Sequence, residues 1–295
     1  MRVSDSMIFN NAALYSDNAQ SSVDDATRVA STGIRVQHPG DDPAAAAGIV
    51  AHSSALAQAQ NLSKVTASAN DELSAADGAL SQVSDALARA RELAVQMSNS
   101  TYSAADRAGA AAEVATLSQQ VSAALNLKVG TRYVFGGSKD QSAPFDASGN
   151  YLGDGTVRQI EIAPGLRQDV SVRTDQVIKG AGGGVDVFAA IGALQSALTA
   201  NDPDAVRASM DGLTQATGQV AAGRAALGGD MDALTAAKNA ADTAAQTETS
   251  AVSKLQDADV IDAATKLALA QHALEAALTA TSQGFKLSLL DPTGA

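Results

Sequence analysis

Histidines and paired aspartates are the residues of this chain that could bind a metal ion. His38, His52 and His272 are the only histidines, and no two of them have metal-ligand spacing. Asp41 and Asp42 could together hold a cation, but a helix start explains Asp42 and contact with solvent explains Asp41. The sequence therefore predicts no metal site.

Glycine-rich runs are the second candidate for chemistry. Gly182-Gly183-Gly184 is not followed by the Lys-Ser/Thr pair of a phosphate-binding loop, and FGGSK at 135–139 lacks the required spacing. No serine stands between glycines as in a nucleophile elbow. We therefore predict no catalytic residue, no cofactor and no enzymatic activity.

The composition favours close helix packing and disfavours charged polymers as partners. Aromatic residues make up 3% of the chain, tryptophan is absent, and alanine supplies much of the 45% hydrophobic fraction. A formal net charge of −12 argues against binding to nucleic acid or to an anionic membrane surface, because both need a cationic face. No apolar stretch approaches the roughly 20 residues that span a bilayer. We expect no nucleic acid and no membrane among the partners.

The absence of cysteine has two interpretations. A cytosolic protein has no use for disulfides, and a protein exported unfolded must not cross-link on the way. The opening stretch MRVSDSMIFNNAALYSDN lacks a basic region followed by an apolar run, so it is not typical of a signal peptide. If the protein leaves the cell, we expect a route that needs no cleaved leader.

A short connector interrupts helix-compatible sequence in residues 31–47, which read STGIRVQHPGDDPAAAA. Gly33 suits the left-handed position just past a helix C-terminus. Pro39 lacks an amide donor and biases the preceding residue away from helix. Asp42 followed by Pro43 is typical of a helix start, with a capping carboxylate and a proline in the first turn. The stretch predicts a helix, a stiff connector and a second helix.

The clearest periodicity follows this connector and predicts a long helix with an a/d seam. Two apolar series recur every seven positions: Leu73, Leu80, Leu87 and Ala94, then Ala76, Val83, Ala90 and Met97. Ser103 and Asp106 form a capping-box pattern that starts another helix. We expect that helix to run to about Val129 and to lie antiparallel to the first.

The pattern changes to strand-like between about Gly130 and Gly184. Tyr133 to Phe135 form a short strand-like run, and alternating residues predict a hairpin of Thr156–Ile162 with Val170–Arg173. This segment predicts a small β-rich insert.

Helix-compatible sequence returns after the insert. Asp186 and Asp202-Pro203 are helix starts, and Gly228-Gly229 is a candidate break. Near the end, Val260, Leu267 and Leu274 keep heptad spacing.

These patterns predict a mainly α fold, a long coiled-coil helical rod of N- and C-terminal segments with a small β-rich insert in the middle. The predicted segments are an N-terminal helix and connector (1–43), the N-terminal part of the rod (44–129), the insert (130–185), the C-terminal part of the rod (186–249) and a C-terminal helix (250–295).

Several stretches resemble the bacterial flagellin family. STGIRVQHPGDDPAAAAGI is similar to the connector that leads into the flagellin rod, LARARELAVQMSN to the next signature on that rod, and DADVIDAATKLALAQHALEAALTATSQGFKLSLL to the terminal helix. The start MRVS and the run GTRYVFGGSKDQSAPF resemble the hook–filament junction branch of the family. The HPGDDP connector and the compact middle segment depart from the pattern of many relatives.

The resemblance implies a structural protein, exported unfolded by the flagellar type III apparatus to the cell surface. It implies a homo-oligomeric ring between the first hook-associated protein and flagellin, and an export chaperone that holds the C-terminal helix. The terminal segments would fold only on assembly, because their large apolar residues are sparse and fixing each residue costs about 1–2 kcal/mol. The expected assembly-interface residues are Val3, Met7, Leu14, Val260, Leu267, Leu274, Leu278, Leu289 and Leu290.

Two other functions fit the same sequence. A flagellin, the subunit of the filament itself, shares most of the features above. A cytosolic coiled-coil adaptor unrelated to motility would account for the heptads and for the absence of cysteine.

Overall fold

The computed structural model describes the backbone of residues 2–146 and 148–289, and the side chains of residue 7, residues 10–146 and residues 148–283. The helices are α1 (Arg2–Thr32), α2 (Pro43–Met97), α3 (Ala104–Leu125), α4 (Thr174–Val177), α5 (Val187–Thr199), α6 (Pro203–Gln256) and α7 (Val260–Leu289). The strands are β1 (Lys128–Val129), β2 (Arg132–Tyr133), β3 (Gln159–Ala163) and β4 (Leu166–Asp169). The predicted mainly α fold with a small β-rich insert is confirmed.

The chain forms two compact units. One contains residues 1–58 and 244–295, and the other contains residues 59–243. We call them the terminal unit and the central unit. The division into five segments along the chain stays a prediction.

Heptad spacing builds the core of the central unit. All the residues of the two predicted α2 series between 73 and 97 are buried. Helix α6 carries a matching repeat that the sequence reading missed: Val206, Leu213, Val220, Leu227, Leu234 and Ala241 are seven apart and buried. Two seven-residue repeats are typical of coiled-coil packing.

The candidate break at Gly228-Gly229 is wrong, because α6 is continuous from 203 to 256. Leu227 and Leu234 on either side of the glycines are both buried, so packing of the apolar stripe holds the helix through them. Tertiary packing here outweighs the weak helix propensity of glycine.

Polar side chains link α2 to α6 within the central unit. Arg224 donates two hydrogen bonds to Asp77, at 2.8 and 3.0 Å, and these bonds lower the pKa of that carboxyl. Further along, Asp242 accepts from Ser63 at 2.5 Å and pairs with Lys238 at 2.7 Å. Apolar heptad layers resemble one another, so polar pairs of this kind favour one alignment of the two helices.

Helix ends in the central unit follow capping chemistry. Ser103 and Asp106 form the predicted capping box at the start of α3. Asp186 caps α5, and Asp202 accepts from the amides of residues 204 and 205 at the start of α6. Helix α3 ends at Leu125 and not near residue 129. The side chain of Asn126 instead bonds both backbone groups of Phe145 and turns the chain into the insert.

The insert consists of two short antiparallel pairs, β1 with β2 and β3 with β4. The β3–β4 hairpin turns at Gly165, whose φ is +76°. Its strands lie at 159–163 and 166–169. The predicted strands, 156–162 and 170–173, were therefore displaced away from the turn. Glu72 on α2 accepts from Arg132 at 2.6 Å and from Arg158, and these bonds fasten the insert to the rod helix.

Arg107 is a buried cation in the central unit, 3% exposed, that the sequence reading missed. Its guanidinium donates to the carbonyls of Met97 and Asn99, at 3.0 and 2.8 Å, and to Oδ1 of Asn201 at 2.6 Å. It therefore satisfies carbonyls at the end of α2 and ties them to the α5–α6 turn.

We predict that the Asp77–Arg224 pair can be inverted. Asp77→Arg or Arg224→Asp alone places like charges face to face and should lower the free energy of unfolding by about 1–2 kcal/mol. The double exchange should recover most of that loss in thermal unfolding followed by circular dichroism. Arg207→Asp, which breaks an exposed pair with Asp204, should cost less than about 0.5 kcal/mol. No recovery in the double variant would contradict the alignment role.

Candidate assembly interface in the terminal unit

The terminal unit is built around α1 packed along α7. The stripe of α7 that is shielded from solvent has a spacing of three and four residues and consists of Ala263, Leu267, Ala270, Leu274, Ala277 and Thr281. The corresponding stripe of α1 consists of Ala12, Ser16, Ala19, Val23, Ala26 and Val29. Most of these side chains are small and only partly buried, so the pair removes little apolar surface from water.

Large apolar side chains lie on the outside of the same two helices. They are Met7, Leu14 and Tyr15 on α1 and Val260, Ile261, Leu269 and Leu278 on α7, with exposed fractions from 52% for Leu278 to 79% for Ile261. Exposed apolar residues that recur on one element are typical of a protein-interaction surface. Tyr15, Ile261 and Leu269 are exposed in the same way but were not among the expected interface residues.

The expected interface residues fall into three groups. Met7, Leu14, Val260 and Leu278 are exposed. Leu267 and Leu274 are half-buried on the stripe that packs along α1. The side chains of Val3, Leu289 and Leu290 lie outside the described residues. Their role in assembly stays a prediction.

The connector between α1 and α2 comprises residues 33–42. Gly33 follows the last residue of α1 with a φ of +70°, and its N–H donates to the Val29 carbonyl at 2.9 Å. Pro39 lies in the turn that precedes α2 and is exposed. Asp42 accepts from the Ala45 amide at 3.0 Å, and Pro43 is the first residue of α2.

A second break, between α6 and α7, lies opposite this connector. The amides of Arg35 and Val36 donate to the Gln256 carbonyl at 2.7 and 3.2 Å, and the Ala258 amide donates to the Gly33 carbonyl at 2.8 Å. The two irregular segments therefore satisfy each other's backbone groups. Val36 is buried, although its neighbours in sequence, Arg35 and Gln37, are polar.

Sequence reading missed the break at 257–259. The signal that could have found it is Asp259, whose carboxylate caps α7 by accepting from the Ile261 amide at 2.8 Å. Asp42 and Asp202 are helix starts of the same kind.

Arg35 joins the two breaks. Its Nη2 donates to the Leu255 carbonyl at 2.8 Å, near the C-terminus of α6, and its Nη1 donates to Asp42 Oδ2 at 3.0 Å. A cation is favourable at a helix C-terminus, where carbonyls lack partners. The hydrogen bond from the Ala45 amide and the bond from Arg35 lower the pKa of Asp42.

Asp41 does more than contact solvent, so that expectation is corrected. Its Oδ2 accepts from the amides of His38 and Gln37, at 3.0 and 2.9 Å, and these bonds lower the pKa of the carboxyl. The carboxylate therefore closes the Pro39-Gly40 turn. The neighbouring acids Asp41 and Asp42 serve two separate backbone sites.

Two further contacts fasten α2 to α6 in this unit. His52 Nδ1 lies 2.6 Å from Glu248 Oε2. Gly48 packs so closely against Leu255 that a Cβ would lie 2.9 Å from its Cδ1.

Metal-ligating side chains do not converge in the described part of the chain, where no group of three or more His, Asp or Glu residues could hold an ion. No helix in the described residues is both long enough and apolar enough to cross a membrane. The terminal unit therefore contains a pair of packed helices, α1 and α7, that expose apolar side chains on their outer faces.

Two family models match the chain. The bacterial flagellin N-terminal helical region matches residues 3–140, and the bacterial flagellin C-terminal helical region matches residues 210–291.

Individual relatives are similar over different lengths. Flagellar hook-associated protein 3 of Escherichia coli strain K12 is 30% identical over 88% of this chain and 89% of its own length. The protein of the same name in Salmonella typhimurium is 36% identical over 52% of this chain and 49% of its own. A flagellin of Clostridium tyrobutyricum is 30% identical over 47% and 37%.

Solved structures share the fold. FlgL of Xanthomonas campestris superposes with a TM-score of 0.61 at 20% identity, covering 68% of this chain and 99% of that one. Flagellar hook associated protein-3 of Legionella pneumophila gives a TM-score of 0.61 at 16% identity, covering 70% and 98%.

We predict that the connector carboxylates make the start of α2 sensitive to acid. Both Asp41 and Asp42 have a folded pKa below the unfolded value, so their contribution is present above about pH 4 and is lost as pH falls through the folded pKa. The variant Asp41→Asn/Asp42→Asn should melt at a lower temperature than the unmodified chain at pH 7, and the difference should vanish near pH 2.

Thermal unfolding by circular dichroism across that pH range measures the difference. Asp17→Asn/Asp24→Asn, which removes two exposed carboxylates from α1, matches the change in net charge and should have a smaller effect. A difference between the double variant and the unmodified chain that stays constant down to pH 2 would contradict the assignment.

Proposed function

This chain belongs to the bacterial flagellin family and is a structural component of the bacterial flagellum, and on that premise we propose that it forms the junction between hook and filament. The extent of similarity supports the junction over the filament. The hook-associated protein 3 of Escherichia coli aligns along 88% of this chain, whereas the flagellin of Clostridium tyrobutyricum aligns along 47%.

The junction is a homo-oligomeric ring in this proposal, and the exposed apolar side chains of α1 and α7 are the observation that carries it. Burying a side chain of this size stabilises an assembly by roughly 1.5–3 kcal/mol. The apolar surfaces of α1 and α7 differ from each other, so a contact between unlike surfaces of neighbouring copies generates a ring or a helix and not a closed dimer.

The terminal helices become fully ordered on assembly in this proposal. The stripe between α1 and α7 contains Ala12, Ser16, Ala19 and other small residues, whose burial returns little free energy. Fixing the backbone costs about 1–2 kcal/mol for each residue. Neighbouring copies supply the remaining burial, as in other segments that fold on binding.

The proposed position between hook and filament determines which proteins the ring contacts. The ring contacts the first hook-associated protein on one side and flagellin on the other. The chain leaves the cell unfolded through the flagellar type III apparatus, and an export chaperone covers the C-terminal helix before export. The absence of cysteine suits this route, because no disulfide can trap the unfolded chain.

The test of junction function is a gene deletion followed by complementation. Deletion should leave hooks bare while flagellin is secreted into the medium, and labelled protein should lie in a thin zone at the hook. Filaments of normal length in the deletion strain, or label along the whole filament, would overturn the junction and favour a flagellin. Absence of the protein from sheared appendages would favour a cytosolic adaptor.

We predict that Leu278→Asp abolishes complementation, because the substitution places a charge on an exposed apolar surface that copies must bury. The melting temperature of the purified chain should change by less than about 2 °C. Thr279→Asp is the matched control: it adds the same charge one residue along α7 and should restore motility. Equal loss of motility in both variants would contradict a role for the Leu278 surface.

We predict that mild trypsin digestion of the dilute chain removes both termini and leaves a resistant core of roughly residues 40–250. Mass spectrometry of the fragments gives the boundaries. Protection of both termini in the dilute monomer would show that the α1–α7 pair is stable without neighbours.

A further inference from the structure

Gly228 and Gly229 weaken α6, and close packing does not require a glycine at either position. Glycine is a poor helix former because it loses the most backbone freedom on folding. A Cβ built on either residue would meet no atom within 4 Å. Gly223 is different, since its Cβ would lie 2.6 Å from a methyl group of Val177. Close packing therefore explains why position 223 is a glycine, but it does not explain the glycines at 228 and 229.

The core side of α6 is held on both sides of the glycine pair. Leu227 is 3% exposed and Leu234 is fully buried, and both belong to the seven-residue repeat. This packing keeps the helix continuous but leaves its other faces without comparable support, because Ala225, Ala226 and Gly229 are exposed.

The β3–β4 hairpin supplies a contact one residue beyond the glycine pair. Gln168 on β4 donates from Nε2 to Oδ1 of Asp230 at 2.7 Å. Burial and the nearby carboxylate of Asp169 raise the pKa of Asp230, so its surroundings disfavour the charged form. The hydrogen bond from Gln168 opposes that effect and gives the hairpin a specific hold on α6.

We propose that Gly228-Gly229 is a bending point in α6, and that the β3–β4 hairpin acts as a splint that keeps the helix straight through the Gln168–Asp230 hydrogen bond. With the splint in place, backbone hydrogen bonds around the glycines are maintained. When the hairpin moves away, the same bonds open before those of the neighbouring turns.

Hydrogen exchange on the full chain tests the bending point. The amides of residues 228–233 should exchange faster than those of residues 234–240. Gly228→Ala/Gly229→Ala should slow exchange at 228–233 by about thirtyfold, since each replacement strengthens the helix about fivefold. Gly218→Ala, another α6 glycine with open space around it, should leave those amides unchanged. Uniform exchange across 228–240 would overturn the bending point.

The splint is tested by removing its side chain. Gln168→Ala should speed exchange at 228–233 by about fivefold in the unmodified helix. In the Gly228→Ala/Gly229→Ala background the same change should again speed exchange by about fivefold, starting from the slower rate, because the opening breaks the same hydrogen bond. No acceleration at 228–233 in either background, or equal acceleration along the whole of α6, would overturn the splint.

Discussion

Backbone hydrogen bonding at helix ends is the constraint on which the terminal unit depends. A helix that stops leaves carbonyls without partners, and the next helix begins with free amides. Here α1 and α6 stop opposite each other, and the groups they leave open are satisfied mutually by Arg35, Val36, Ala258 and the Gln256 carbonyl. Arg35 adds a positive charge where the C-terminus of α6 is negative. The connector is therefore an ordered structural element with its own hydrogen-bond partners.

The central unit and the terminal unit bury different kinds of apolar side chain. The central unit buries Leu, Val and Ala in matched heptads and adds polar pairs that favour one alignment. The terminal unit keeps small residues inside and places several of its largest apolar side chains outside. Exposed apolar side chains of this kind are typical of a surface that a partner covers, and this is why we propose assembly through the terminal unit.

Much of the fold could be predicted from the sequence because it rests on local rules. The α2 heptads, the Ser103–Asp106 capping box and the Asp202 helix start all act over a few residues, so their pattern is visible in one dimension. The α6 heptad is an equally local pattern, but the low helix propensity of Gly228-Gly229 favoured a break there instead. The break at 257–259 has a local signal in Asp259, and Asp41 bonds only neighbouring amides. The roles of Arg35 and Arg107 depend on partners that are distant in sequence, Leu255 and Asn201. In the candidate site, the spacing of apolar residues in the terminal helices could be predicted. The sequence did not show which of these residues pack between α1 and α7 and which stay exposed.

The contact of Gly48 with Leu255 ties the sequence freedom of two distant positions together. A methyl group at position 48 would need the space that a leucine methyl now fills. An alanine at 48 therefore requires Leu255 to turn its methyl group away or position 255 to carry a shorter side chain. The choice of residue at one position thus limits the side-chain conformations at the other, where the two helices approach beside the connector.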